Sequence, residues 1–168
     1  MNESATAVIP DVGITFTRLL ESTPAKVFGA FADARKLARW WGPPECPIVA
    51  CTLDFRPGGV WHYGLRSSAT GQAYWSRAVF EEIVADTRIV FVETSSDAEG
   101  GVTPDRAPAH TTVTLAQVPD GTSLRIDVRH VSAQEARRAS QRGVKDGFNR
   151  ALDQLVDLLQ TEQRERRP

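Results

Sequence analysis

Hydrophobic and polar residues alternate along seven stretches of the chain, as they do in strands that bury one face. The first stretch is residues 13–20, with the sequence GITFTRLL, and six more lie between residues 48 and 130. Turn sequences rich in glycine and proline, such as RPGG at 56–59 and PDGT at 119–122, separate several of them. Alternation and short connections together predict an antiparallel sheet of seven strands.

Two short helices are predicted between the first strand and the second. Ser22 or Thr23 can cap the first helix, and Asp33 can cap the next one, which runs to about Trp41. Gly42 can adopt the left-handed conformation that ends many helices, and the two prolines that follow it exclude a further helical turn.

The C-terminal part of the chain predicts one long helix over residues 133–161. Ser132 and Glu135 form a capping box at its start, and apolar or small residues recur along it at helical spacing. Gly143 and Gly147 lie one turn apart on this stripe, so we expect both to face the sheet. Each costs about 1 kcal/mol of helix propensity relative to alanine. Either these glycines allow the helix to pack closely on the sheet, or they leave room for a ligand between the helix and the sheet.

Strand alternation places four polar side chains on the inner face of the sheet: Tyr63, Tyr74, Glu93 and His130. A carboxylate among apolar neighbours is costly without a partner, so an inward Glu93 is expected to pair with an arginine, a tyrosine hydroxyl or His130. A register shift of one residue would move each side chain to the solvent face. These four residues are candidates for contact with a ligand.

Trp40 and Trp41 lie side by side at the end of the second short helix. Adjacent helical residues point about 100° apart, so the two rings cannot face the same way. We expect one of them to fill the core. The other either packs in the core as well or lies toward the mouth of a cavity or toward solvent. Trp41 therefore joins the candidate ligand-binding residues.

Composition narrows the classes of function. The formal net charge of the 168 residues is −1, which argues against nucleic-acid binding driven by bulk charge. The two cysteines, Cys46 and Cys51, have no metal-binding or disulfide pattern. No apolar run approaches the ~18 residues of a membrane span, and the N-terminus lacks the features of a signal peptide. We therefore expect a cytoplasmic protein without a metal ion or another cofactor, and without nucleic-acid or membrane partners.

The length suits a single domain. We expect a flexible N-terminal segment over residues 1–11, one domain over residues 12–161 and a charged tail over residues 162–168, in a monomer or a homodimer. The common motifs for a catalytic nucleophile, a phosphate-binding loop or a dinucleotide are missing from the sequence. No catalytic residue is therefore assigned, and binding without catalysis is favoured.

Three segments together resemble the activator of heat-shock-90 ATPase homologue (AHSA-type) family. Residues 22–44 carry a double tryptophan followed by Gly-Pro, residues 53–65 carry an Asp-x-Arg-x-Gly-Gly-x-Trp hairpin, and residues 81–92 carry Glu-Ile and then Arg-Ile-Val. The family is part of the START-related helix-grip superfamily (SRPBCC), with the major birch-pollen allergen and the polyketide cyclases. The resemblance implies an α+β helix-grip fold, in which a curved seven-stranded antiparallel sheet wraps a long C-terminal helix, with two short helices after strand one.

The last helix departs from the pattern of that family. Where the family carries Gly-Trp, this chain has Gly147 and Phe148. Phenylalanine keeps the aromatic body of tryptophan but lacks its N–H donor. Phe148 is thus expected to line a cavity without donating a hydrogen bond into it.

The resemblance implies a cavity between the sheet and the C-terminal helix, and three functions are open. The favoured one is binding or sequestration of a small apolar or aromatic molecule. The alternatives are a regulator that contacts the heat-shock-90 chaperone in a stress response, and a polyketide-cyclase-like enzyme. The candidate ligand-binding residues are Trp41, Tyr63, Tyr74, Glu93, His130, Gly143, Gly147 and Phe148.

Overall fold

The computed structural model describes residues 12–167 in full and the backbone of residues 4–9, and these residues form one sheet and four helices. In chain order the elements are β1 (Ser4–Ile9), β2 (Gly13–Leu20), α1 (Pro24–Phe31), α2 (Ala34–Trp40), β3 (Ile48–Leu53), β4 (Val60–Arg66), β5 (Ala73–Val84), β6 (Arg88–Ser96), β7 (Ala109–Val118), β8 (Gly121–His130), α3 (Ala133–Gln141) and α4 (Val144–Glu165). The strand order is β1-β2-β8-β7-β6-β5-β4-β3, and every neighbouring pair is antiparallel. The seven predicted strands are β2 to β8.

Part of the segment predicted to be flexible is a strand. Ser4–Ile9 form β1, which pairs with β2 and adds an eighth strand at the edge of the sheet. This pairing gives hydrogen-bond partners to backbone groups of β2 that face away from β8. The remainder of the prediction for residues 1–11 falls on residues 1–3, 10 and 11, which lie outside the described residues.

The two short helices begin at the predicted caps. The Thr23 hydroxyl accepts a hydrogen bond from the Lys26 backbone N–H, and an Asp33 carboxylate oxygen accepts one from the Arg35 N–H at 2.8 Å. α2 ends at Trp40, and Trp41 is its C-terminal cap.

The prediction of one continuous C-terminal helix is wrong at Gly143. The capping box is confirmed, because the Ser132 hydroxyl accepts a hydrogen bond from the Glu135 N–H at 3.2 Å. Gly143, however, has a φ of 76°, which separates α3 from α4. Small and apolar positions keep helical spacing across the break, so periodicity alone does not reveal it. α4 continues to Glu165, so the first residues of the predicted tail are helical.

α4 is attached to the inner face of the sheet, which is the face that the helices cover. Leu152 and Leu155 of α4 are buried in the same core cluster as Ile126 of β8. A buried arginine on β2, Arg18, donates to the Asp153 carboxylate at 2.7 Å and to the Asn149 carbonyl at 3.1 Å. Apolar burial and this ion pair together hold α4 over the sheet.

Candidate functional site

The two adjacent tryptophans are both buried, on different sides of the helix end. The Trp40 indole N–H donates to the Ala30 carbonyl at 2.9 Å, inside the helical layer. Trp41 is only 7% exposed and meets the inner face of the sheet. Its ring lies edge-on to Trp61 and to Phe148, with centroid distances of 4.8 and 5.2 Å. Of the two alternatives for Trp41, the structure shows packing in the core, because aromatic rings of the sheet and α4 enclose Trp41.

Tyr63 and Glu93 meet on the inner face. Tyr63 lies opposite Ser76 in the β4–β5 ladder, and Glu93 lies opposite Ala78 in the β5–β6 ladder. Tyr63 is 3% exposed, and its hydroxyl donates a hydrogen bond to a carboxylate oxygen of half-buried Glu93. Of the three partners considered for Glu93, the structure provides the tyrosine hydroxyl.

The environment of Tyr63 fixes its protonation state. Burial raises the pKa of the Tyr63 phenol well above its usual range, and the charge of Glu93 and the hydrogen bond to it raise the pKa further. The nearby Trp41 and Ser76 side chains oppose this shift only in part. Tyr63 is therefore a hydrogen-bond donor rather than a base, and Glu93 is the acceptor.

The loop between β6 and β7 closes this end of the sheet. The Arg106 guanidinium donates to Ser76 Oγ at 2.7 Å, and the Arg106 backbone N–H donates to Ser95 Oγ at 3.0 Å. Ser95 also donates to the Thr103 carbonyl at 3.0 Å. Ser76 and Ser95 are buried and lie opposite each other, next to Tyr63. The loop thus brings a positive charge to the polar side chains of the inner face.

We call Tyr63, Ser76, Glu93, Ser95 and Arg106 the polar cluster. Three of its members, Ser76, Ser95 and Arg106, are missing from the sequence-based candidates. Ser76 and Ser95 are an even number of residues from inward-facing residues of their own strands. Strand alternation therefore identifies both as inward-facing. Arg106 lies in a loop rich in glycine and proline, where no periodicity exists to orient it.

A cleft of about 250 Å³ lies under α3. Its walls are α3 and the first turn of α4 on one side, and the ends of β2 and β8 on the other. The apolar part of the lining consists of Gly13, Ile14, Ala133, Ala136, Ala139 and Val144. The polar part consists of His130, Arg137, Ser140 and Lys145. Alanines on α3 leave this space unfilled.

His130 is the predicted site residue that lines the cleft. Burial lowers the pKa of His130, the charge of Arg142 lowers it further, and Glu135 opposes the shift in part. The neutral imidazole is therefore favoured near neutral pH. It can donate or accept one hydrogen bond at the inner end of the cleft.

Tyr74 does not lie among apolar neighbours, and that prediction is wrong. Its side chain is 48% exposed, and its hydroxyl donates to the Gln72 side-chain oxygen at 3.3 Å. Tyr74 lies on the same side of β5 as buried Ser76, and it is paired with Leu65 of β4. It is the second residue of β5, however, where the inner face opens to solvent.

The two glycines of the C-terminal stripe do not face the sheet, which corrects a second prediction. Gly143 is exposed, and a Cβ placed on it would meet no atom within 4 Å in the described structure. A Cβ on Gly147 would meet Pro43 Cγ at 3.8 Å, so Gly147 faces the segment after α2. The helix break at Gly143 is the physical reason, because α3 and α4 have separate axes.

Phe148 fills the interior beside the cleft. Its ring centroid lies 4.6 Å from that of Phe16 on β2, and it also contacts Trp41. These are ring contacts, which phenylalanine makes without an N–H donor. Any role of Phe148 in ligand binding is as an apolar surface.

Within the described residues, no three His, Cys, Asp or Glu side chains are grouped as metal ligands would be. The two cysteines are free, and burial raises the pKa of both thiols. In the same part of the chain, no helix combines the length and the apolar character needed to cross a membrane.

Comparisons with known proteins agree with this architecture. The model of the family described as "Activator of Hsp90 ATPase homolog 1-like protein" matches residues 21–160. No curated protein matches the chain.

Solved structures are similar over most of their length. A protein from Arthrobacter aurescens is 23% identical with a TM-score of 0.82, and the match covers 89% of this chain and 86% of that one. A protein from Mycobacterium smegmatis is 23% identical with a TM-score of 0.80, covering 88% and 90%. An AHSA1 protein from Silicibacter pomeroyi is 20% identical with a TM-score of 0.70, covering 94% and 99%. At these identities the similarity concerns the fold, and it confirms the predicted α+β helix grip with a curved antiparallel sheet.

Proposed function

Because the chain belongs to the family of Activator of Hsp90 ATPase homolog 1-like proteins, we propose that it binds a small, largely apolar molecule in the cleft under α3. Family membership and the helix-grip fold support a binding or regulatory role in general. The observation that carries the specific proposal is the cleft itself, which has largely apolar walls and a few polar side chains, among them His130. Apolar walls with a few polar groups are typical of small-molecule sites.

The size of the cleft limits the ligand. Small-molecule sites usually measure ~300–1,000 Å³, so a cleft of about 250 Å³ suits a compact body of up to three rings or a short chain. Burial of ~200 Å² of apolar ligand surface supplies roughly 5 kcal/mol, equivalent to a dissociation constant on the order of 0.1 mM before the costs of association. We therefore expect modest affinity.

Five of the candidate residues have one of three roles in this proposal. His130 contacts the ligand directly, because it lines the cleft. Trp41 and Phe148 form an aromatic cluster with Phe16 and Trp61. This packed interior stops the ligand from penetrating further under α4. Tyr63 and Glu93 provide a polar boundary on the inner face beyond that cluster.

The test is to fill the cleft. N-phenyl-1-naphthylamine is an uncharged apolar dye that fluoresces when it leaves water, so a titration reports its binding. Ala136 lines the cleft, whereas Gln134 is exposed on the same helix. We expect Ala136→Phe to weaken dye binding at least tenfold and Gln134→Phe to leave it unchanged, with both variants folded by circular dichroism. Unchanged binding in folded Ala136→Phe, or no saturable binding by the natural chain, would contradict the proposal.

The family description supports a second proposal, regulation of a heat-shock-90 chaperone in a stress response. Its test is the ATPase rate of purified heat-shock-90 chaperone with and without the protein. A concentration-dependent change in rate supports this role, and no change at saturating concentrations contradicts it. We favour ligand binding because the cleft is an observed feature of this chain.

A cyclase-like enzyme has less support. The acid–base pair of the inner face is Tyr63 with Glu93, and its tyrosine is held as a hydrogen-bond donor beneath the aromatic cluster. We further propose that residues 12–161 act as one domain, in a cytoplasmic monomer or homodimer, as the sequence predicts.

A further inference from the structure

The charged side chains that line the cleft have one sign. Arg137 of α3 and Lys145 of α4 contribute to its lining, and the lining contains no carboxylate. Within the described residues, neither cation has a carboxylate oxygen within 4.0 Å. Arg138 and Arg150, on the same two helices but outside the lining, each form an ion pair, with Glu135 and Glu45 respectively. In the described structure, Arg137 and Lys145 thus lack a carboxylate partner at the cleft, as exposed Arg164 near the end of α4 also does.

Charged groups of both signs lie near the cleft. Arg142 follows the last residue of α3, and burial and the charge of Arg106 lower its pKa. The charge of Glu135 raises the pKa of Arg142, but the Glu135 carboxylate also forms an ion pair with Arg138 at 2.7 Å. Asp146 is exposed beside Lys145 in the sequence and is not part of the lining. The charge of Glu135 also acts on His130 of the lining. The lining itself contains two cations and no carboxylate, and this composition favours an anion.

We propose that the ligand of the cleft is an amphipathic organic anion, with its apolar body against Ile14, Ala136 and Val144 and its acidic head group at Arg137 and Lys145. This inference rests on the proposed function and adds the charge of the ligand. The head group is a carboxylate, a sulfonate or a phosphate, since each of these accepts hydrogen bonds from guanidinium and ammonium groups. A cleft of this size holds one short body, so the ligand is a free small molecule rather than a lipid within a bilayer.

Two dyes with the same ring system allow the contribution of the acidic head group to binding to be measured. 1-Anilinonaphthalene-8-sulfonate carries a sulfonate, and N-phenyl-1-naphthylamine is the uncharged counterpart. A solvated ion pair at about 4 Å is equivalent to roughly a fivefold change in binding, so two cations predict a preference for the sulfonate of about tenfold or more. At 1 M salt the Debye length falls to about 3 Å, and the preference should largely disappear.

Removing the two cations of the lining tests whether the preference for the sulfonate dye arises at the cleft. The double variant Arg137→Gln with Lys145→Gln should lose the preference for the sulfonate and keep its affinity for the uncharged dye. The control is Arg35→Gln with Arg39→Gln, which removes the same charge from two exposed positions on α2 that are outside the lining. It should retain the preference.

The outcomes separate this inference from the proposed function. If the uncharged dye binds and the sulfonate binds no better, the anion proposal is wrong and cleft binding stands. The anion proposal also fails if the cleft double variant keeps the preference or if the control loses it equally. If neither dye binds the natural chain, both proposals fail.

Discussion

The space under α4 and the space under α3 belong to the same layer between helix and sheet, yet one is filled and the other is open. Under α4, the rings of Trp41 and Phe148 pack against each other and against the sheet. Under α3, alanines such as Ala136 face the ends of β2 and β8 across a cleft of about 250 Å³. Helical periodicity places Ala136 of α3 and Leu152 and Leu155 of α4 on the inward side, although it fails for Gly147, which faces Pro43. Side-chain volume decides whether the space is core or cleft.

The two regions also differ in whether their charged side chains have partners. In the filled region Arg18 is paired with Asp153, and Glu93 accepts a hydrogen bond from Tyr63. At the cleft, Arg137 lines the opening without a carboxylate beside it in the described structure. Buried charges require partners for stability, whereas a solvated unpaired cation is available to a ligand.

The largest expected effect lies in the filled region. Trp41→Ala removes a buried ring from the aromatic cluster and should lower the free energy of unfolding by about 3–5 kcal/mol. Trp75→Ala deletes the same side chain from the other face of the sheet, where the ring is half-exposed, and should cost less. Urea denaturation of both variants measures the difference. Equal losses would show that the interior under α4 is not the main core.

The helix break between the two regions is tested by a pair of glycines. Gly143→Ala forces a left-handed conformation on alanine, and we expect a loss of about 1–2 kcal/mol. Gly147→Ala lies within α4, where its Cβ would make an ordinary contact with Pro43, and should gain about 0.5–1 kcal/mol. A stabilising Gly143→Ala in urea denaturation would instead mean that α3 and α4 form one helix.

The polar cluster is tested by removing one hydroxyl. Tyr63→Phe deletes the donor to Glu93, and we expect a loss of about 1 kcal/mol, because water can replace it at the half-buried carboxylate. Tyr74→Phe is the matched control, since its hydroxyl lies at the surface, and should change stability by less than about 0.5 kcal/mol. Indistinguishable midpoints of urea unfolding for the two variants would refute a structural role for the Tyr63–Glu93 bond.

The smallest expected effect concerns His130 at the cleft. Because the pKa of His130 is lowered in the folded protein, the unfolded chain binds a proton at higher pH than the folded one. Stability should therefore fall as the pH drops through the ordinary histidine value of about 6.5, and this contribution levels off below the folded pKa. His130→Asn should make the unfolding midpoint less sensitive to pH between about 7.5 and 5. An unchanged pH profile would count against a desolvated His130.

The sequence predicts most of the strands and helix starts, because strand alternation and helix-capping residues are local patterns that can be recognised without the fold. Alternation identifies β2 to β8, and Thr23, Asp33 and Ser132 mark three helix starts. The break at Gly143 is not predictable from periodicity, since the stripe continues across it. The polar cluster is predictable only in part, because Arg106 reaches it from a loop. Tyr74 shows that alternation assigns a face but not whether another element covers it.

The most direct test of ligand binding under α3 is a map of amide chemical-shift changes during titration with 1-anilinonaphthalene-8-sulfonate. We predict that the largest changes occur along α3, at Val144 and Lys145, and at Ile14 and His130. Largest changes at Trp41, Tyr63 and Phe91, with α3 unaffected, would contradict the assignment of the site to the cleft.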